Sequence, residues 1–117
     1  MPFNAAPKRV QLLTAAITDE TTSPWVDCSA YAHVVVYVSG AGTTSSGVLT
    51  IEEADWGPDQ VIYGGTPSAI TTVNASDVTG DVMKAIHLPD GAYAFVRTRV
   101  STVIGGGGSV SASLRAS

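Results

Sequence analysis

The chain has 117 residues, 14% of them charged and 44% apolar, with a formal net charge of −4. That length fits one compact domain, and a chain so apolar and weakly charged is not disordered. The negative balance argues against an electrostatic grip on nucleic acid or anionic lipid, so neither is expected as a partner.

Taken in order, Met1–Pro7 has two prolines and no apolar pattern, and with residue 8 reads as an extended arm (1–8) before one domain (9–117). Arg9–Ile17 is the first predicted strand, with Val10 and Leu12 on one face and Thr14 and Ala16 in phase. Thr18–Ser23 reads as a polar turn and Pro24–Val26 as a short edge strand. His33–Ser39 places Val34, Val36 and Val38 on one side and His33, Val35 and Tyr37 on the other, as in the middle of a sheet. Gly40–Gly47 is a flexible connection to the strand Val48–Glu53. A turn at Ala54–Asp59, a strand at Gln60–Tyr63, and strands Ile70–Asn74 and Val82–Leu88 around the loop Ala75–Asp81 follow. Leu88–Gly91 is a tight turn set by Pro89 and Gly91. Ala92–Ser101 alternates, with Tyr93, Phe95, Arg97 and Arg99 on one side and Ala94, Val96, Thr98 and Val100 on the other. The four glycines 105–108 then lead into Ser109–Leu114, which reads as the second strand of a C-terminal hairpin.

About eight short strands without a helical stripe predict an all-β fold, an antiparallel β-sandwich of jelly-roll type. Such a sandwich has edges, and charge this sparse leaves a surface rich in Ser, Thr, Ala and Gly. A neutral surface suits a chain that buries more of itself in an assembly, so a homo-oligomer is expected.

No grouping of residues reads as a catalytic or cofactor site. Cys28 is the single cysteine, which excludes an internal disulfide, and it reads as a small core residue beside Asp27. His33 and His87 lack metal-ligand spacing and read as core or rim residues. Glu52, Glu53, Asp55 and Asp59 could hold a hard cation or act as paired carboxylates, but they read better as a solvated turn. The glycine run lacks the Lys and the helix of a phosphate loop. Asn74-Ala75-Ser76 fits a glycosylation sequon, yet no secretory signal precedes it, and the chain is expected to stay soluble in a cytoplasm. The longest apolar stretch, Ala32–Val38, is far short of the ~20 residues that span a membrane. Trp25, Tyr31, Tyr37, Trp56, Tyr63 and Tyr93 could form a glycan platform, with Trp56 on the turn as the residue to watch. Arg97 and Arg99 could pair with a partner's acids, or with Glu52 and Glu53 of the same chain.

Three stretches together carry a resemblance: Trp25-Val26-Asp27-Cys28-Ser29-Ala30-Tyr31 with the valine strand after it, Ser46–Ala54, and Tyr93–Arg99 leading through Ile104–Gly108 into Val110-Ser111-Ala112. Spanning about residues 24–114, they resemble small tailed-bacteriophage virion proteins, and in size and architecture the head decoration, or cement, proteins. The resemblance implies a non-enzymatic protein of the capsid surface without cofactors. It further implies a homotrimer seated where capsomers meet, clamping the lattice of the major capsid protein against internal DNA pressure. An arm ordered across a neighbour would add contact area, which makes Pro2, Phe3, Asn4 and Lys8 candidate partner-binding residues, with Trp56, Arg97 and Arg99. A tail, neck or fibre-associated virion protein is the nearest alternative. A carbohydrate-binding sandwich built on Trp56 and Tyr63 is the next.

Overall fold

The computed structural model describes residues 6–54, 67–89 and 93–117. Eight strands run through them: β1 (Lys8–Ala16), β2 (Val26–Asp27), β3 (Val34–Ala41), β4 (Ser46–Ala54), β5 (Ser68–Asn74), β6 (Met83–His87), β7 (Phe95–Gly105) and β8 (Ser109–Ala116). They build two four-stranded sheets, ordered β1-β8-β3-β6 and β2-β7-β4-β5. One operation explains that order. Doubling the chain back between β4 and β5 makes the antiparallel rungs β4/β5, β3/β6, β2/β7 and β1/β8, and all four are present. Wrapping this double ribbon sets β8 beside β3 and β7 beside β4. The result is a jelly roll, and the expected antiparallel β-sandwich is the observed fold.

Alternation builds the core. Val34, Val36 and Val38 of β3 and Val110, Ala112 and Leu114 of β8 face Leu49 and Ile51 of β4 and Val96 and Val100 of β7, all buried. Fully burying each Val, Leu or Ile contributes about 1.5–3 kcal/mol. Cys28 belongs to this core, as its surroundings in the sequence suggest, and is 0% exposed. Burial pushes its thiol up to about 11, with the nearby Asp27 charge adding to the rise and Lys8 opposing it.

Several elements differ from their sequence reading. The expected C-terminal hairpin does not form: β7 and β8 lie in opposite sheets. Their glycine link crosses the sandwich against the β3–β4 link, with Gly108 N donating to Thr43 O at 2.8 Å and Ser45 N donating to Gly105 O at 2.9 Å. Gly106 has φ +102°, and a Cβ there would stand 2.8 Å from both Ser45 Oγ and Thr43 O. Gly40–Gly47 is correspondingly pinned. Thr44 is buried, its Oγ1 donating to Ala75 O at 2.7 Å and its N to Thr79 Oγ1 at 3.0 Å.

In β1 the pairing with β8 slips twice, and Ala15 takes φ +50°. Leu13 therefore turns inward and Thr14 outward, breaking the expected phase. The chain then leaves one sheet for the edge of the other. Thr18–Ser23 follows β7 as far as β2, with Ile104 N donating to Ile17 O, Val100 N to Thr21 O and Ser23 N to Thr98 O at 2.8–2.9 Å. Within the expected loop Ala75–Asp81, a 3-10 turn at Ala75–Val78 buries Ala75 and Val78. Lys8, counted with the arm in the sequence reading, already pairs with Ala116 in β1. The Gln60–Tyr63 strand, and the turn at Leu88–Gly91 in part, fall outside the described residues.

Candidate functional site

Among the described residues, the outer face of the β2-β7-β4-β5 sheet carries an ionic cluster. Strand register sets Arg97 of β7 opposite Glu52 of β4, and the next outward residue, Arg99, opposite Thr50. Arg97 Nε donates to Glu52 Oε1 at 2.9 Å, and Arg99 Nε reaches Glu52 Oε2 at 3.4 Å. The Glu52 side chain is 7% exposed, against 21% for Arg97 and 37% for Arg99. Trp25, just before β2, stacks on the same group, with the Arg97 guanidinium carbon 4.3 Å from its ring centroid. Beside them Thr50 Oγ1 donates to Ser101 Oγ at 2.7 Å, and Ser101 Oγ donates to Val48 O at 3.2 Å.

This cluster corrects the reading of a solvated turn for Glu52, while Asp55 and Asp59 lie outside the described residues. Glu52 is a buried strand residue with both carboxylate oxygens engaged, which suits holding two arginines in place. Of the two pairings open to Arg97 and Arg99, the one to Glu52 of the same chain is made. One face of Trp25 is also occupied by Arg97, leaving less of that ring for a stacking sugar.

The remaining candidates are scattered. Lys8 Nζ donates to Asp27 O at 3.2 Å, at the far edge of the other sheet. Ser29 donates to Asp27 Oδ1 through Oγ at 2.6 Å and through its backbone N at 3.0 Å, and these bonds hold the Asp27 carboxyl below its usual range. Pro2, Phe3, Asn4 and Trp56 lie outside the described residues. His33 and His87 are both exposed, so neither is a core histidine. Among the described residues no three His, Cys, Asp or Glu side chains are grouped to hold a metal, and no helix is long and apolar enough to cross a membrane.

A second surface escaped the sequence reading. On the outer face of the β1-β8-β3-β6 sheet, register aligns Arg9, Arg115, Val35 and His87 across the four strands, then Gln11, Ser113, Tyr37 and Ala85 in a parallel row. A third row continues with Ser111, Ser39 and Met83. A shallow groove of about 250 Å³ lies between Arg9, Gln11, Tyr37, Ser113 and Arg115. The signal available in the sequence was phase alone, since Arg9 and Arg115 flank the inward Val10 and Leu114. They sit 106 positions apart by number, and only the β1/β8 rung makes them neighbours.

Comparison with protein-family models and with curated proteins returns no match.

Proposed function

We propose that this protein is a non-enzymatic virion component, a capsid decoration protein that self-associates and binds the major capsid protein lattice to stabilise the head. The observation that carries the reading is the strand order β1-β8-β3-β6 over β2-β7-β4-β5. Jelly rolls of this kind recur in viral capsid domains, and that support is an analogy of fold. The outer faces add to it. One carries Tyr37 and Met83 among Ser and Ala side chains, with arginines at one end, and Tyr, Met and Arg are the residue types in which interfaces are enriched. The phage-like stretches around Trp25–Tyr31, Ser46–Ala54 and Tyr93–Arg99 agree in class.

The mechanism is additive burial. A single contact of modest affinity becomes strong when many copies, or several arms of one oligomer, engage the lattice together. Co-sedimentation with undecorated capsids of the cognate phage tests this reading. The chain is expected to pellet with capsids to saturation and to raise the temperature at which they release DNA. A chain left in the supernatant, with capsid stability unchanged, would overturn it.

A further inference from the structure

Among the described residues, accounting for the hydrogen bonds and ion pairs of the charged side chains leaves two groups over. Among the described basic residues, Lys8 donates to Asp27 O, Lys84 stands 3.9 Å from Asp77, and Arg97 and Arg99 hold Glu52. Arg9 and Arg115 remain. They face one another across the β1/β8 rung, with no carboxylate within ion-pair distance among the described residues. Like charges directly opposite in a sheet are destabilising, so an anion between them would relieve the pair. Among the described acids, Asp27 accepts from Ser29, Asp77 faces Lys84, Asp81 accepts from Gly42 N, Glu52 is clamped and Glu53 is half-buried. The exposed acids left over are Asp19 and Glu20, at the corner where the chain passes from β1 to the edge of β7.

These two pairs cannot meet within one molecule. β1 alone carries the chain roughly 23 Å from Arg9 to Ala16, and Asp19 lies beyond it. The exposed large apolar residues divide in the same way. Ile17 and Val103 are 46% and 52% exposed and lie at the acidic corner, where Ile104 N donates to Ile17 O. Val82 and Met83 are 48% and 62% exposed and belong to β6 and its approach, on the sheet whose outer face carries the arginines. One end thus offers two carboxylates beside apolar surface, and one face offers two guanidiniums at the β1 edge with Tyr37 beside them and Met83 at the far, β6 edge.

We propose that the Arg9–Arg115 groove is a carboxylate-binding site, filled by Asp19 and Glu20 of a second copy of this chain. The contact is head-to-tail, because the two surfaces are different parts of the molecule, and such a contact closes into a ring when the rotation permits. A guanidinium matches a carboxylate through two parallel N–H···O bonds, which gives the contact direction as well as strength. The inference rests on the self-association proposed above and specifies which surfaces make it.

Charge reversal tests it, read by light scattering across a concentration series. The double variants Arg9→Glu/Arg115→Glu and Asp19→Lys/Glu20→Lys should each weaken self-association about tenfold or more. Combining all four substitutions should restore it to within roughly threefold of the parent chain, because the paired charges are exchanged. Far-UV circular dichroism confirms that each variant is folded. If one is not, raising salt from about 0.05 to about 0.5 M with the parent chain should weaken association instead. Undiminished association in the Arg9/Arg115 variant, or no restoration in the folded quadruple variant, would overturn the site. A parent chain that is monomeric throughout would overturn it as well. Capsid co-sedimentation of the same variants reports on the virion reading separately: a variant that associates normally and still binds capsids removes the site and leaves that reading intact.

Discussion

At the scale of single residues, burial separates ion pairs that resemble one another in sequence. Glu52 is held by Arg97 and Arg99 with its side chain 7% exposed, whereas Lys84 and Asp77 are each 50% exposed at 3.9 Å. Glu52→Gln leaves two arginines against a neutral amide, and with those arginines partly solvated the cost should be about 2 kcal/mol. Lys84→Gln should cost no more than about 0.5 kcal/mol. Urea unfolding of both variants checks the ratio, and equal shifts would contradict the burial argument. The acidic run hid this difference, because Glu52, Glu53, Asp55 and Asp59 read alike until strand register places Glu52 opposite Arg97.

Cys28 gives a pH dependence with a definite sign. Its thiol titrates near 9 when unperturbed and is pushed up to about 11 in the fold. The folded state therefore keeps a proton that the unfolded chain gives up, so the contribution is complete below 9 and is lost as pH rises from 9 to about 11. The loss is on the order of 2 kcal/mol. Unfolding midpoints of the parent chain and Cys28→Ala across that range should converge as pH rises. Parallel curves would contradict a thiol held neutral by burial. Asp27 acts in the opposite sense: its lowered pKa contributes stability above the ordinary carboxylate range that fades as pH falls through it.

At the scale of elements, alternation was legible and connection was not. Val34, Val36 and Val38 in β3 and Val96, Thr98 and Val100 in β7 all point inward as their spacing implies. Period two describes a strand's faces, and it is the same whether the next strand pairs beside it or crosses to the opposite sheet. Hence Gly105–Gly108 could be read as a hairpin turn while it bridges the sandwich. The β1 slip was equally hidden, because a bulge adds a residue without changing composition. The bridge itself makes a prediction through two neighbouring glycines. Gly106 and Gly107 have φ of +102° and +88°, but a Cβ on Gly107 meets nothing within 4 Å, while one on Gly106 meets Thr43 O and Ser45 Oγ at 2.8 Å. Gly107→Ala should cost about 1 kcal/mol for the backbone alone, and Gly106→Ala about 1–2 kcal/mol more. Equal losses in a denaturant series would mean that the two links do not pack together.

At the scale of the whole molecule, the fold class followed from composition and short alternating runs, and the surfaces did not. Arg9 and Arg115 are brought together by the β1/β8 rung, and Arg97 and Glu52 by the wrap that sets β7 beside β4, in each case from distant parts of the chain. A single sequence carries no mark of such pairings beyond phase. The doubled-ribbon topology supplies them, and with them a molecule that has different chemistry at one corner and on one outer face. That asymmetry is what the proposed head-to-tail contact requires, since such a contact joins two unlike surfaces.

The most direct test of the proposed role is a difference map between cryo-electron-microscopy reconstructions of capsids with and without the bound chain. The account predicts density on the outer shell where capsomers meet, in symmetric clusters of copies touching head to tail. Density confined to the neck, tail or fibres, or no added density at saturating protein, would contradict it.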